Sequence, residues 1–278
     1  MSSYVEKKNH PIDQDTRSLI SKRYKRITRA VNMEFWESSS ETAHSRYVGS
    51  YGRGTAINTS DLDVLIELPE SEYVRFTSQN GNGQSRLLQA VKDSILETYP
   101  NTDVKGDGQV VLVNFSDGMK FEILPAFQDP TTGGEPYKYP DTHMGGNWMT
   151  TKPKAEQDAM DVKDDYNHSN GLLKDTCKHI RSVKSENFSS YHLSGILIDS
   201  FVYRAMGNWH WLRENEVSSG KTAETYGKKL LNFYNTNSSS TSRSSSTKAA
   251  ISIFAPGSEE KVDTDDWDVL GKVLNKMV

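Results

Sequence analysis

The stretch VGSYGRGTAINTSDLDVLIEL, residues 48–68, constrains the chain more than any other. In its second half Leu62, Val64, Ile66 and Leu68 alternate with other residues, and Asp61 and Asp63 occupy the intervening positions. Successive side chains of a strand point to opposite faces. The pattern therefore predicts a strand with one face in a core and two carboxylates side by side on the other. Carboxylates that close repel, and each is driven toward protonation unless a cation sits with them. Mg²⁺ is such a cation: it takes oxygen ligands and often binds one or two carboxylates together with substrate phosphates. The simpler alternative is that Asp61 caps a turn and Asp63 is a solvated strand residue.

The preceding turn bears on that choice. Gly49–Ser50–Tyr51–Gly52–Arg53–Gly54 offers backbone N–H groups unobstructed by side chains, plus a hydroxyl. Such a turn can cradle phosphate oxygens. No Gly-Lys-Ser/Thr follows, so it is not a Walker A loop, and glycines at 49, 52 and 54 do not fit G-x-G-x-x-G. A plain hairpin would also use glycine. The conjunction of this turn with paired aspartates, separated from Ser50 by ten residues, argues for chemistry.

A third carboxylate is expected from a neighbouring strand. VVLVNF (110–115) and MKFEIL (119–124) predict two strands joined by a turn at Ser116–Asp117–Gly118, with Pro125 stopping the second. Phe121 and Ile123 take the core side of that strand, which leaves Glu122 on the opposite face. Asp117 is the weaker candidate, because the turn explains it without chemistry.

Around these strands the pattern is mixed. Apolar residues at helical spacing predict a helix over 13–36 (Ile20, Tyr24, Ile27, Ala30, Val31, Phe35) and another over 85–98. Residues 128–153, with YPDTHMGGNW at their centre, read as an ordered segment crossing between lobes. Beyond it, helices are expected over 154–166, 170–186, 193–212 and 221–235. A serine-rich mobile loop (235–247), a short strand AISIF and a last helix near 264–277 follow. The order of elements gives an α+β N-terminal lobe, 1–150, and a helical C-terminal lobe, 151–278, with the first helix able to span both. In GLLKDTCKHIRSVKSE an apolar stripe (Leu173, Cys177, Ile180, Val183) accompanies a basic one, Lys174, Lys178 and Arg181. A solvated cationic face and a phosphate-binding face are both compatible with it.

Composition excludes several classes. The formal net charge is −4, whereas proteins that coat nucleic acid are usually basic, so long duplex is not an expected constitutive partner. The single cysteine, Cys177, permits neither an internal disulfide nor a Cys-rich zinc site. His44, His143, His168, His179, His192 and His210 show no metal-ligand spacing. No run is apolar and long enough for a membrane span, and MSSYVEKKNHPID lacks a signal-peptide core, so a cytoplasmic protein is expected.

Gly49–Ser50, ten residues and Asp61-x-Asp63 together resemble the signature of the polymerase-β-like nucleotidyltransferase superfamily. The resemblance implies that Gly49 and Ser50 hold the phosphates of a nucleoside triphosphate. It also implies that Asp61 and Asp63 bind two Mg²⁺ ions (or Mn²⁺). FEILPAF resembles the family strand that carries the third metal-binding carboxylate, here Glu122 where Asp is commoner. The helical part resembles the cyclic GMP-AMP synthase and oligoadenylate synthetase group. There Lys178 and Arg181 would grip the donor triphosphate, Ser190 would contact its phosphates and Tyr191 would stack on its base. Stacking suits any base, so Tyr191 would not set base identity. YPDTHMGGNWMTTKPKAE looks like the crossing segment of the bacterial members, the CD-NTases.

The implied fold is α+β: a polymerase-β-like lobe of mixed twisted sheet and helices, packed against a helical lobe. The implied activity is joining nucleoside triphosphates into a cyclic or short linear oligonucleotide messenger, with release of pyrophosphate, in bacterial antiphage signalling. The partners are then nucleoside triphosphates and a separate effector protein that reads the product, with no membrane and a monomeric enzyme. A nucleotidyltransferase acting on a protein, an antibiotic or an RNA 3′ end, and an inactive nucleotide sensor, are the alternatives.

Overall fold

The computed structural model describes residues 5, 7, 11–57, 61–129, 131–132, 134–214, 216, 223–240 and 247–278, with side chains from 226 to 239 in the last helix-to-strand stretch. The chain divides into two compact units. One, the sheet unit, comprises Ile12–Gly52 and Asn58–Lys154; the other, the helical unit, comprises Met1–Pro11, Arg53–Ile57 and Ala155–Val278. The division thus falls four residues beyond the expected 150, and two short N-terminal segments go with the helical unit. The first helix lies wholly in the sheet unit.

In the sheet unit, α1 (Gln14–Trp36) starts where Asp13 accepts the Thr16 N–H at 2.9 Å, an N-cap that satisfies a backbone donor the helix leaves open. Ile20, Ile27 and Val31 recur on its buried face. At its C-terminal end the Asn32 amide donates to the Ser40 and Ala43 carbonyls, pinning the following loop. There follow β1 (Ser45–Tyr47), the single turn α2 (Gly49–Gly52), β2 (Leu62–Glu67), α3 (Glu70–Thr77), α4 (Gly83–Thr98), β3 (Asp103–Asp107), β4 (Val110–Asn114) and β5 (Lys120–Gln128). Two further strands, β6 (Tyr137–Asp141) and β7 (Asn147–Thr151), complete the sheet. Its order is β1-β2-β5-β4-β3, with β6 on β5 and β7 on β6. β2 and β5 run parallel; the other pairs are antiparallel.

Two sequence expectations change here. Pro125 does not stop β5. The β4 ladder ends at Ile123, so no β4 residue is paired with Pro125, the kind of open edge on which a strand tolerates proline. Residues 137–151, expected to cross between lobes, instead form the β6–β7 hairpin within the sheet unit. This hairpin alters β2 as well. Leu65, on the same face as Asp63, is buried with Val48, Ala126 and Tyr137, so that face turns from polar to apolar along the strand.

The helical unit contains α5 (Pro153–Asp164), α6 (Leu172–Asn187), α7 (Gly195–Ala205), α8 (Ala223–Thr236) and α9 (Trp267–Met277). Short ladders pair β8 (Ser238–Ser240) with β9 (Thr247–Ala249) and β10 (Ile253–Phe254) with β11 (Lys261–Val262). Residues 241–246 of the expected serine-rich mobile loop lie outside the described residues; the rest of that run forms the end of α8 and its ladder. The core gathers Leu173, Cys177 and Ile180 of α6, Phe201 and Val202 of α7, and Trp267 and Leu270 of α9. Helix α7 is buried nearly all round, as its apolar sequence predicts, but ends at Ala205 rather than 212. Gly207 follows at φ +61°, a left-handed conformation that glycine adopts freely and that breaks the helix. Among the described residues no helix is long and apolar enough to cross a membrane.

Candidate functional site

Within the sheet unit, the parallel β2/β5 register sets Asp63 directly opposite Glu122 and Leu62 opposite Phe121. Leu62 and Phe121 are both fully buried. Pleating therefore puts Asp63 and Glu122 together on the other face, with Asp61 two residues earlier on the same side. The Val48 N–H donates to the Asp63 carbonyl at 2.8 Å, and Gly52 N–H closes the α2 turn on Val48 at 2.8 Å. Gly49 has φ +57°, and a Cβ placed on it would lie 1.8 Å from Asp63 Oδ2. A side chain here would have to displace the Asp63 carboxylate. Ser50 is half-buried in that same turn.

The side chain that sequence reasoning missed is Lys120. It stands two residues before Glu122 and so shares its face of β5. Its Nζ lies 2.5 Å from Glu122 Oε1 and 3.3 Å from Asp61 Oδ1. The hydrogen bond to Glu122, reinforced by both negative charges, holds the Lys120 ammonium above the usual lysine range. The same alternation that singled out Glu122 also marks Lys120.

The donors fit a hard divalent cation in kind, since all three are carboxylates and an ammonium already balances two of them. In their present positions they do not converge. Among the described residues no three His, Cys, Asp or Glu side chains stand close enough to hold one ion.

The remaining expected residues belong to the helical unit. Of the basic stripe on α6, Lys174 pairs with Asp161. Arg181 is turned inward, its NH1 2.7 Å from Asp199 Oδ1 and its NH2 donating to the Gly195 carbonyl at 2.9 Å. Lys178 is half-buried. Ser190 is exposed, and so is Tyr191, with Lys272 Nζ 4.7 Å from its ring centroid. Asp266 fixes this entry segment by accepting from the Ser194 N–H at 3.0 Å and pairing with His192 Nδ1 at 2.8 Å.

Arg53, whose glycine-rich surroundings concealed it, is also turned inward. Its Nε reaches Asp199 Oδ2 at 2.9 Å and its NH1 reaches Glu156 Oε2 at 2.8 Å. The Thr55 hydroxyl donates to Asp199 at 3.0 Å. Burial pushes the Asp199 carboxyl up, but Arg181 and Arg53 outweigh it and hold the group below the usual carboxylate range. Glu156 goes the other way, raised by burial that Arg53 only partly offsets.

A sheet carrying paired acids beside a glycine turn, with a helical unit following, has the fold of the CD-NTase and polymerase-β-like nucleotidyltransferase structures. The chain superposes on the CdnE cyclic dinucleotide synthase of Elizabethkingia meningoseptica, solved with GTP and Apcpp. The TM-score is 0.61 at 14% identity, over 95% of this chain and 91% of that one. Against the STING-associated CdnE c-di-GMP synthase of Capnocytophaga granulosa the values are 0.61 and 13%, over 94% and 80%. A curated relative, the cyclic AMP-AMP-AMP synthase of an Acinetobacter species, is 23% identical over 172 residues, 61% of this chain. The match spans about half of that relative's length, 48%. Residues 7–164 match the model of the Second Messenger Oligonucleotide or Dinucleotide Synthetase domain. The chain belongs to this family, a group of CD-NTases.

Proposed function

We propose that the protein is a metal-dependent nucleotidyltransferase that joins nucleoside triphosphates into a cyclic or short linear oligonucleotide messenger. The observation that carries this reading is the β2/β5 register, which pairs Asp63 with Glu122 on the face that also bears Asp61. In this reading the three carboxylates hold divalent cations, Mg²⁺ or Mn²⁺. When bound, such ions neutralise charge on the leaving phosphates and ease deprotonation of the acceptor hydroxyl.

The chain's own residues do the positioning. Gly49, lacking a side chain, lets a phosphate approach the backbone beside Asp63, and Ser50 adds a hydroxyl donor. Lys178 meets triphosphate charge, Ser190 contacts phosphate and Tyr191 offers a stacking face. Arg181 takes a positioning part, because its guanidinium is already engaged by Asp199 and Gly195. The match to the second-messenger synthetase family supports a role for the product in bacterial antiphage signalling, with a separate protein reading it.

The test is incubation of the protein with all four ribonucleoside triphosphates and Mg²⁺ or Mn²⁺, with products read by mass spectrometry. Phosphatase-resistant oligonucleotides that disappear in Asp61→Asn and Asp63→Asn support the reading. Label that appears only on an added protein, drug or RNA acceptor defeats it.

A further inference from the structure

The carboxylate face of the sheet unit contains its own cation. The Lys120 ammonium lies between Asp61 and Glu122, within 3.3 Å and 2.5 Å of them. These are the first and third acids of the set, one from the start of β2 and one from β5. A cation shared by all three acids has to draw on these same two carboxylates. Lys120 takes up one oxygen of Asp61 and one of Glu122, and among the described residues no three acids stand close enough to share an ion.

The geometry points to Lys120 as a resident counter-cation that a divalent ion must displace before the carboxylates can gather. The inference rests on the metal-dependent reading above and deepens it. An ammonium in contact with two acids opposes a divalent ion in two ways. It engages one oxygen of each acid, and until it moves its charge repels the incoming cation over a few ångströms. Its side chain is about a third exposed (30%) on a flexible stem, so it can move without disturbing the core. An arriving triphosphate brings anionic oxygens that give the displaced ammonium a new partner. Metal loading is thereby coupled to nucleotide arrival, and the nucleotide-free protein binds metal weakly.

The test uses the whole 278-residue chain and Mn²⁺ as probe, with free Mn²⁺ followed by electron paramagnetic resonance and no turnover required. Without nucleotide, Lys120→Met should bind Mn²⁺ at least about tenfold more tightly than wild type, since the repulsive charge is gone. Lys120→Arg, which keeps the charge, should stay near wild type. Adding a non-hydrolysable ATP analogue should tighten binding in the wild type and narrow its gap to Lys120→Met. Equal or weaker Mn²⁺ binding by Lys120→Met, with an unchanged melting temperature, overturns the role given to Lys120 while leaving the carboxylate reading intact. Lys120→Gln serves the same comparison if Lys120→Met does not fold. Absence of Mn²⁺ binding in every variant, with and without the analogue, overturns both.

Discussion

At the scale of single residues, Gly49 is a demanding position. Its φ of +57° disfavours any side chain, and a Cβ there would lie 1.8 Å from Asp63 Oδ2. An alanine at 49 must push aside the very carboxylate that the proposed chemistry uses. Displacements of about 1 Å at a reacting centre cost on the order of 100-fold, so Gly49→Ala should lower the initial rate of pyrophosphate release by about that factor. A backbone forced to keep a left-handed alanine loses only about 1–2 kcal/mol, so the variant should still melt cooperatively. Activity within twofold of wild type would show that Asp63 does not need its place against the turn. The acids were legible because strand alternation has a period of two: Leu62, Val64 and Ile66 declare the buried face, and Asp61 and Asp63 follow. Lys120 obeys the same alternation, yet a lysine on a strand reads as solvated until its neighbours are known. Asp199 was illegible as a partner of Arg53, because the two are 146 positions apart and no local period links them.

Elements were legible where one face is continuously buried, as in α1, α4 and α6, and less so where a neighbour decides. α3 escaped notice because Phe76 is its one fully buried residue among exposed and half-buried ones. The β6–β7 hairpin was read as a crossing segment because prolines and glycines punctuate it. Its pairing with β5 depends on Phe127 and Gln128, beyond the proline expected to end that strand. Asn82 holds this hairpin and α4 together. Its Oδ1 accepts the Ser85 N–H at 2.9 Å as N-cap of α4, and its Nδ2 donates to the Thr142 carbonyl at 2.8 Å. Replacing a capping asparagine by alanine costs about 1 kcal/mol, and here a second bond is lost as well. Asn82→Ala should therefore destabilise the sheet unit by about 1–2 kcal/mol, measured by urea unfolding. Amide exchange should rise at Ser85 and in residues 142–146 before it rises in β2. Uniform exchange across the sheet would refute the local tie.

At the scale of the molecule, the division of the chain makes one demand that no single element reveals. Arg53–Ile57 belongs to the helical unit although it follows the Gly49–Gly52 turn directly in sequence. Arg53 enters that unit as a buried cation, with Glu156 of α5 and Asp199 of α7 as its counter-charges. Removing one member of a buried charge network leaves the others unsatisfied, typically at about 3–5 kcal/mol. Arg53→Met should lower the stability of the helical unit by that order, and hydrogen exchange should rise in α5 and α7, more than 100 positions away in sequence. The pH dependence has a definite sign. Asp199, held below its ordinary pKa, contributes stability that is present above the unfolded value of about 3.9 and is lost as pH falls through the folded one. Glu156, raised by burial, has the opposite effect, favouring the fold below its unfolded value and losing that contribution as pH rises through the folded one. Arg53 acts only on their ionised forms. The stability gap between wild type and Arg53→Met should therefore narrow as the solution is acidified, first as Glu156 takes up its proton and then, below about pH 4, as Asp199 does. A gap that stays constant from pH 7 to pH 4 would mean that Arg53 stabilises the unit through packing of its stem, and that the charges of Glu156 and Asp199 are balanced by other groups.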